Sequence, residues 1–246
     1  MIPYSDPSEP GRIFPWVNIS LIVVNFLVFL YELSLQAQST GTFDNFLYQY
    51  SLVPCEYTSH CTVVAGAPHP FWLALFTSMF MHGGWAHIFF NMLFLWVFGD
   101  NIENSMGHVR YLFFYLLCGL GANALEILTS VNSTVPGLGA SGAIAGVLAA
   151  YLMLYPGSSV RTLILFGFIP IPVRLPAFIL IGFWFVIQLF NGLAALSTPA
   201  ANATGGVAYW AHVGGFVTGA VLIWFFRDPG RVQRLQAYHA RPYGQS

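Results

Sequence analysis

The chain has 246 residues, of which 57% are hydrophobic and 7% charged, against about 25% charged in soluble domains. The net charge is −1, and no basic patch suggests a nucleic-acid partner. The composition is that of an integral membrane protein, and the placement of its charges carries more information than their sum.

A spanning helix needs about 20 apolar residues. The first candidate covers residues 14–33. A polar start, MIPYSDPSEPGR, precedes it, and the run is long enough to span, so it reads as a retained helix rather than a signal peptide. A long first loop follows, about residues 34–69, with Cys55 and Cys61. Three readings stay open there: a Cys55–Cys61 disulfide on an oxidising outer face, a metal site with His60 and His69 whose spacing matches no common one, and two unpaired thiols. The run PFWLALFTSMFM, residues 70–81, stops at His82-Gly83-Gly84 and is too short to span. It reads as a segment that dips into the interface or re-enters.

The second span covers about residues 85–98, with another turn expected at its inner end, and the third about 109–128. The fourth covers about 137–155, the fifth 176–195 and the sixth 209–226. Between the fourth and fifth, TLILFGFIPIPV, residues 162–173, is interrupted by Pro170 and Pro172 and is expected to be a loop near the membrane surface. The expected fold is thus all-α: a polytopic bundle of six transmembrane helices over residues 14–226, between an N-terminal segment 1–13 and a C-terminal tail 227–246.

Charge tests this count. Every basic residue is an arginine: Arg12, Arg110, Arg161, Arg174, Arg227, Arg231, Arg234 and Arg241. With six helices, all eight fall on one side of the membrane. Excess arginine marks the cytoplasmic side, so both termini are expected there.

Ionisable residues inside a bilayer are costly and point to function. His82, His87 and Asn91 lie at the start of the second span, Ser141 early in the fourth and His212 early in the sixth. All three spans run from outside to inside. At 1.5 Å per residue, His87, Ser141 and His212 share a depth of roughly 3–8 Å below the outer interface. His87 and Asn91, four apart, share one helix face. Each residue alone has a plainer reading: Ser141 as a packing or self-bonded serine, His212 as an interfacial histidine. Glu126, near an outer end, reads as reaching the headgroups. The shared depth favours a site for Ser141 and His212.

Gly215-x-x-x-Gly219 forms a close-packing face whose natural partner is the small-residue run GASGAIAG of the fourth span. That approach would bring His212 to Ser141. A serine hydroxyl needs a base to become a nucleophile, and His212 is the candidate. No carboxylate has an obvious claim to orient it, so a Ser-His dyad is expected rather than a triad. The Ser141 backbone N–H, the His87 ring and the Asn91 amide are the candidate oxyanion donors. Gly142 eases packing around a tight helix start.

These residues resemble the rhomboid intramembrane serine proteases over roughly residues 14–226. The resemblance rests on GASG (Gly139, Ala140, Ser141, Gly142), on HGGWAHIFFN (His82, His87, Asn91) and on AHVGGFVTG (His212, Gly215, Gly219). It implies that Ser141 is the nucleophile, His212 its general base, and His87 and Asn91, with the backbone at Ser141 and Ala140, the oxyanion site. It assigns His82 a structural or water-handling role and Glu103 a structural one at the inner end of the second span. It further implies cleavage of transmembrane protein substrates near their outer ends, in a bacterial inner or plasma membrane, with no metal or cofactor. Two departures stand out. The family's first-loop Trp-Arg pair is replaced by Trp72-Leu73, and the aromatic found in some members one turn after the serine is Ala145. Tyr209 or Trp210 is the candidate to pack by His212 instead. The competing classes are a catalytically dead relative that binds membrane proteins, and a channel or transporter lined by His87, Asn91 and His212, for which no internal repeat is found.

Overall fold

The computed structural model describes residues 1–6, 12–58, 61, 71–196 and 207–239. The helices are α1 (Trp16–Gln38), α2 (Thr40–Tyr50), α3 (Pro54–Thr58), α4 (Phe71–Thr77), α5 (Trp85–Met106), α6 (His108–Thr129), α7 (Ser141–Leu154), α8 (Ala177–Leu196), α9 (Tyr209–Phe226) and α10 (Pro229–His239). Four of them, α1, α6, α8 and α9, are long and apolar enough to cross a membrane. The second expected span, α5, has sufficient length at 22 residues, but its last turns carry the buried Asp100, Asn101, Glu103 and Asn104. It runs about two turns past residue 98 rather than one. The fourth expected span, α7, has 14 residues and so is only about 21 Å long.

The short helix is the centre of the molecule. Apart from Ser141, Leu152 and Met153, every residue of α7 is buried. It packs against α5, α6, α8 and α9, with α9 lying against both α6 and α7. Its start is later than expected because Gly139 has φ +133°, a conformation that keeps residues 137–139 out of the helix. That approach is held by Gly137 pairing with Leu52 and by the Gly139 N–H donating to Ser78 O at 2.8 Å. Ser78 belongs to a 3-10 turn, Ser78–Phe80, that continues α4. The expected re-entrant run is therefore a pair of short helical pieces.

The all-α expectation needs correction. A three-stranded sheet, in order β1 (Ile2–Ser5), β2 (Ser159–Phe166) and β3 (Ile169–Pro176), joins the N-terminus to the stretch expected to be a loop. All pairings are antiparallel, and β2 and β3 form a hairpin from Ser159↔Pro176 to Phe166↔Ile169. Pro170 and Pro172 break a helix, but at alternate positions of an edge strand their missing N–H groups are tolerated.

Polar side chains pin the end of the bundle nearest this sheet. The Glu103 carboxylate, fully buried, accepts the Val17 N–H at 3.0 Å and the Asn18 N–H at 2.7 Å, and contacts His108. It caps the uncapped start of α1, whose first amides have no acceptor within the helix. Arg12 pairs with Asp100. Asp6, just after β1, accepts from Asn101 Nδ2 and from Tyr151 OH. Burial, reinforced by the neighbouring Asp100 charge, raises the Asp6 carboxyl well above the usual carboxylate range, although the Tyr151 hydrogen bond and Arg12 pull it back. Gly107 (φ +83°) allows the chain to pass from α5 to α6 in a single residue.

Candidate active site

Three helix beginnings meet at one end of the bundle. His87 is the third residue of α5, Ser141 the first of α7 and His212 the fourth of α9. The shared level expected from helix direction is thus a convergence of first turns.

The α7–α9 contact brings two of these residues together. A Cβ built on Gly215 would lie 1.9 Å from Gly142 O, and one on Gly219 2.4 Å from Gly146 O. Only hydrogen fits at these positions, so the two backbones touch. Three residues before Gly215, His212 Nε2 stands 2.7 Å from Ser141 Oγ, within hydrogen-bond range.

The other face of the imidazole holds a residue the sequence did not single out. His212 Nδ1 is 2.8 Å from Gln188 Oε1 on α8. A carbonyl oxygen only accepts, so Nδ1 carries the proton and Nε2 presents its lone pair to Ser141. Gln188 Nε2 donates to the Trp184 carbonyl at 3.4 Å, which agrees with that amide orientation. The side chain at His212 Nδ1 is thus an amide rather than a carboxylate. A polar residue in a largely apolar fifth span, which also carries Asn191, was the available signal.

The aromatic beside His212 is Trp184, with ring centroids 5.6 Å apart. This corrects the expectation of Tyr209 or Trp210; Trp210 instead donates to Gly192 O at 3.1 Å. Glu126 also differs from expectation. Rather than reaching outward, its carboxylate accepts the Ala211 N–H at 3.1 Å and the Ser130 hydroxyl at 2.9 Å. It caps the start of α9 one residue before His212.

His87 and Asn91 line the site from α5. His87 Nδ1 accepts the Gly83 N–H at 3.3 Å, so its proton sits on Nε2. The ring packs over Gly139: a Cβ there would lie 2.8 Å from His87 Nε2 and 3.6 Å from Ser141 Oγ. Asn91 is buried, and its Nδ2 has no hydrogen-bond partner among the described residues. A buried unpaired donor costs about 1–3 kcal/mol and calls for an explanation. The Ser141 N–H, first in its helix, also lacks an intrahelical acceptor. Ala140, the residue before it, is fully buried.

His82 lies behind His87, with ring centroids 5.1 Å apart. Its ring nitrogens are buried without partners among the described residues, while its backbone N–H donates to the Glu32 carboxylate at 3.1 Å. Glu32, a buried acid late in α1, is the second residue that sequence reasoning passed over. Its signal was a single carboxylate inside the first apolar run. A Cβ on Gly142 would lie 2.5 Å from Ala122 Cβ, so this glycine also sets the α6–α7 distance. The Cys55–Cys61 disulfide is formed. His60 and His69 fall outside the described residues, and among the described residues no group of three or more His, Cys, Asp and Glu is placed to hold a metal.

The Rhomboid domain family model matches residues 69–229. Rhomboid-like protein 11, chloroplastic, of Arabidopsis thaliana is 26% identical over 160 residues, 63% of this chain and 52% of that protein. Rhomboid protein 1, mitochondrial, of Saccharomyces cerevisiae is 28% identical over 206 residues, 78% of this chain and 50% of that protein. Rhomboid protease GluP of Bacillus subtilis is 35% identical over 147 residues, 54% of this chain and 28% of that protein. The chain thus spans about half the length, or less, of these relatives.

Proposed function

The chain belongs to the rhomboid family, and from that premise we propose that it is an intramembrane serine endopeptidase acting through Ser141 and His212. The observation that carries this reading is the 2.7 Å approach of His212 Nε2 to Ser141 Oγ, across a helix contact that admits only glycine.

Ser141 Oγ attacks the scissile carbonyl as His212 Nε2 takes its proton. Gln188 holds the imidazole in the required tautomer and orientation by accepting the Nδ1 proton. As a neutral amide it does this without placing another charge in the bilayer, where charge is costly. The developing oxyanion accepts from Asn91 Nδ2, His87 Nε2–H and the Ser141 N–H, with the backbone at Ala140 completing the cradle. The unpaired Asn91 donor is then a group held ready for charge that appears only in the transition state. The imidazolium returns its proton to the leaving amine, and a water activated by the freed His212 Nε2 hydrolyses the acyl-enzyme. His82 and Glu32 support the loop above His87, while Gly139, Gly142, Gly215 and Gly219 set the approach distances.

The topology proposed with this chemistry has six spans, α1, α5, α6, α7, α8 and α9, with α7 shielded from lipid by its neighbours. Both termini and the sheet lie on the arginine-rich cytoplasmic side. The site opens outward, and the substrates are transmembrane segments cut near their outer ends. Reconstituted with a model transmembrane substrate, the protein is expected to release one cleavage product, and Ser141→Ala to release none. Cleavage that survives Ser141→Ala would overturn the assignment.

A further inference from the structure

The β2–β3 hairpin has no part in this chemistry, and its side chains are distributed unusually. Register divides them into two faces. One face carries Val160 and Thr162, fully buried against the body, and continues through Ile164 and Phe166 with their partners Ile171 and Ile169. The other carries Leu163 opposite Pro172, Leu165 opposite Pro170 and, near the base, Arg161 opposite Arg174. From the arginine pair to Phe166 the hairpin extends about 17 Å.

Its outer part is apolar on every side. Phe166 is 76% exposed, Ile169 65% and Leu165 54%, while Phe168 in the turn is fully exposed. Hairpins that stand in water alternate apolar and polar residues, and soluble surfaces seldom expose such a patch. The apolar face also continues into α8, which begins one residue after β3 with Phe178 and Ile179 exposed. Under the six-span topology α7 starts at the outward-opening site and is about 21 Å long, so it ends toward the inner side of a ~30 Å hydrocarbon core. The hairpin leaves the bundle five residues later.

We propose that the β2–β3 hairpin is an in-plane membrane anchor, with Phe166, Phe168, Ile169 and Ile171 set in the acyl chains of the inner leaflet and Arg161 and Arg174 on the anionic headgroups. Long cationic side chains above an apolar face suit that boundary. Because β1 pairs with β2, the same anchor holds the N-terminal strand at the membrane surface. The inference rests on the six-span topology proposed above, and not on proteolysis.

The test is collisional accessibility of nitroxide labels on the full chain in liposomes containing phosphatidylglycerol. Native thiols do not interfere, since Cys55 and Cys61 are bonded and Cys118 is buried. Labels at Phe168→Cys and Ile171→Cys should collide with oxygen several-fold more than with an aqueous nickel chelate. Arg161→Cys should show the reverse, and exchanging phosphatidylglycerol for phosphatidylcholine should make the tip labels shallower. Chelate access at 168 and 171 equal to that at 161 would overturn the anchor. Protection from both quenchers would overturn it too, since a protein, including a second copy of this chain, would then cover the face. An impermeant maleimide on Arg161→Cys in right-side-out and inverted vesicles reports the side separately, so a failed topology is told apart from a failed anchor.

Discussion

Replacing Gly215 with alanine tests whether helix contact and chemistry are one feature. The new Cβ would sit 1.9 Å from Gly142 O, where ordinary contact is about 3.5 Å. Neither atom is the end of a flexible side chain, so α9 and α7 must part by about 1.5 Å at that level. His212 is one turn away on the same helix. A similar displacement there takes Nε2···Oγ from 2.7 Å to beyond hydrogen-bond range. Misplacement of about 1 Å can cost about 100-fold in rate, or ~2.7 kcal/mol. The assay is kcat/KM on a fluorogenic transmembrane substrate in liposomes, with the melting temperature measured in parallel. The expected result is a loss of about 100-fold or more in a protein that still melts cooperatively. Gly182→Ala on α8, where nothing lies within 4 Å of the new Cβ, should be indistinguishable from wild type. Wild-type turnover in Gly215→Ala, or an equal loss in Gly182→Ala, would refute the reasoning.

Asn91→Ala should lower kcat by about 100- to 1,000-fold while leaving the melting temperature unchanged or higher, because it removes an unpaired buried donor; a large loss of stability would mean that the amide is structural. Gln188→Leu should lower kcat about tenfold with little change in KM, and Gln188→Glu, which restores an acceptor for His212 Nδ1, should recover part of it; equal activities in the two variants would remove Gln188 from the mechanism. Asp6 binds its proton more tightly folded than unfolded, so its contribution is fully present below the ordinary carboxylate value and is lost as pH rises toward the folded one. Asp6→Asn should flatten that dependence, read as melting temperature against pH; an unchanged slope would rule Asp6 out as its source.

The elements that were legible were those set by a single dominant force. Long apolar runs gave α6, α8 and α9 to within a residue or two, because lipid demands continuous hydrophobicity. The arginine count and helix direction then placed His87, Ser141 and His212 together before any contact was known. Gly215 and Gly219 pointed to α7 because close backbone approach needs small residues on both sides.

What escaped was whatever depends on pairing between distant segments. Gln188 is one of two side-chain amides in an otherwise apolar helix, and only the α8–α9 packing sets its Oε1 against His212. Glu126 was read as reaching the headgroups and Glu32 was passed over, yet they satisfy the Ala211 and His82 amides from other elements. The hairpin was read as a loop because its prolines exclude a helix, and nothing local said that β1 would supply a third strand. The length of α7 was overestimated because GLGA reads as helix-compatible, whereas Gly139 turns the chain there.

The central claim is that His212 activates Ser141. The most direct measurement is covalent labelling of the reconstituted full chain by a serine-reactive fluorophosphonate, comparing wild type with Ser141→Ala and His212→Ala. The account predicts labelling of the wild type at Ser141, and none in either variant. Undiminished labelling of His212→Ala, or labelling that persists in Ser141→Ala, would contradict it.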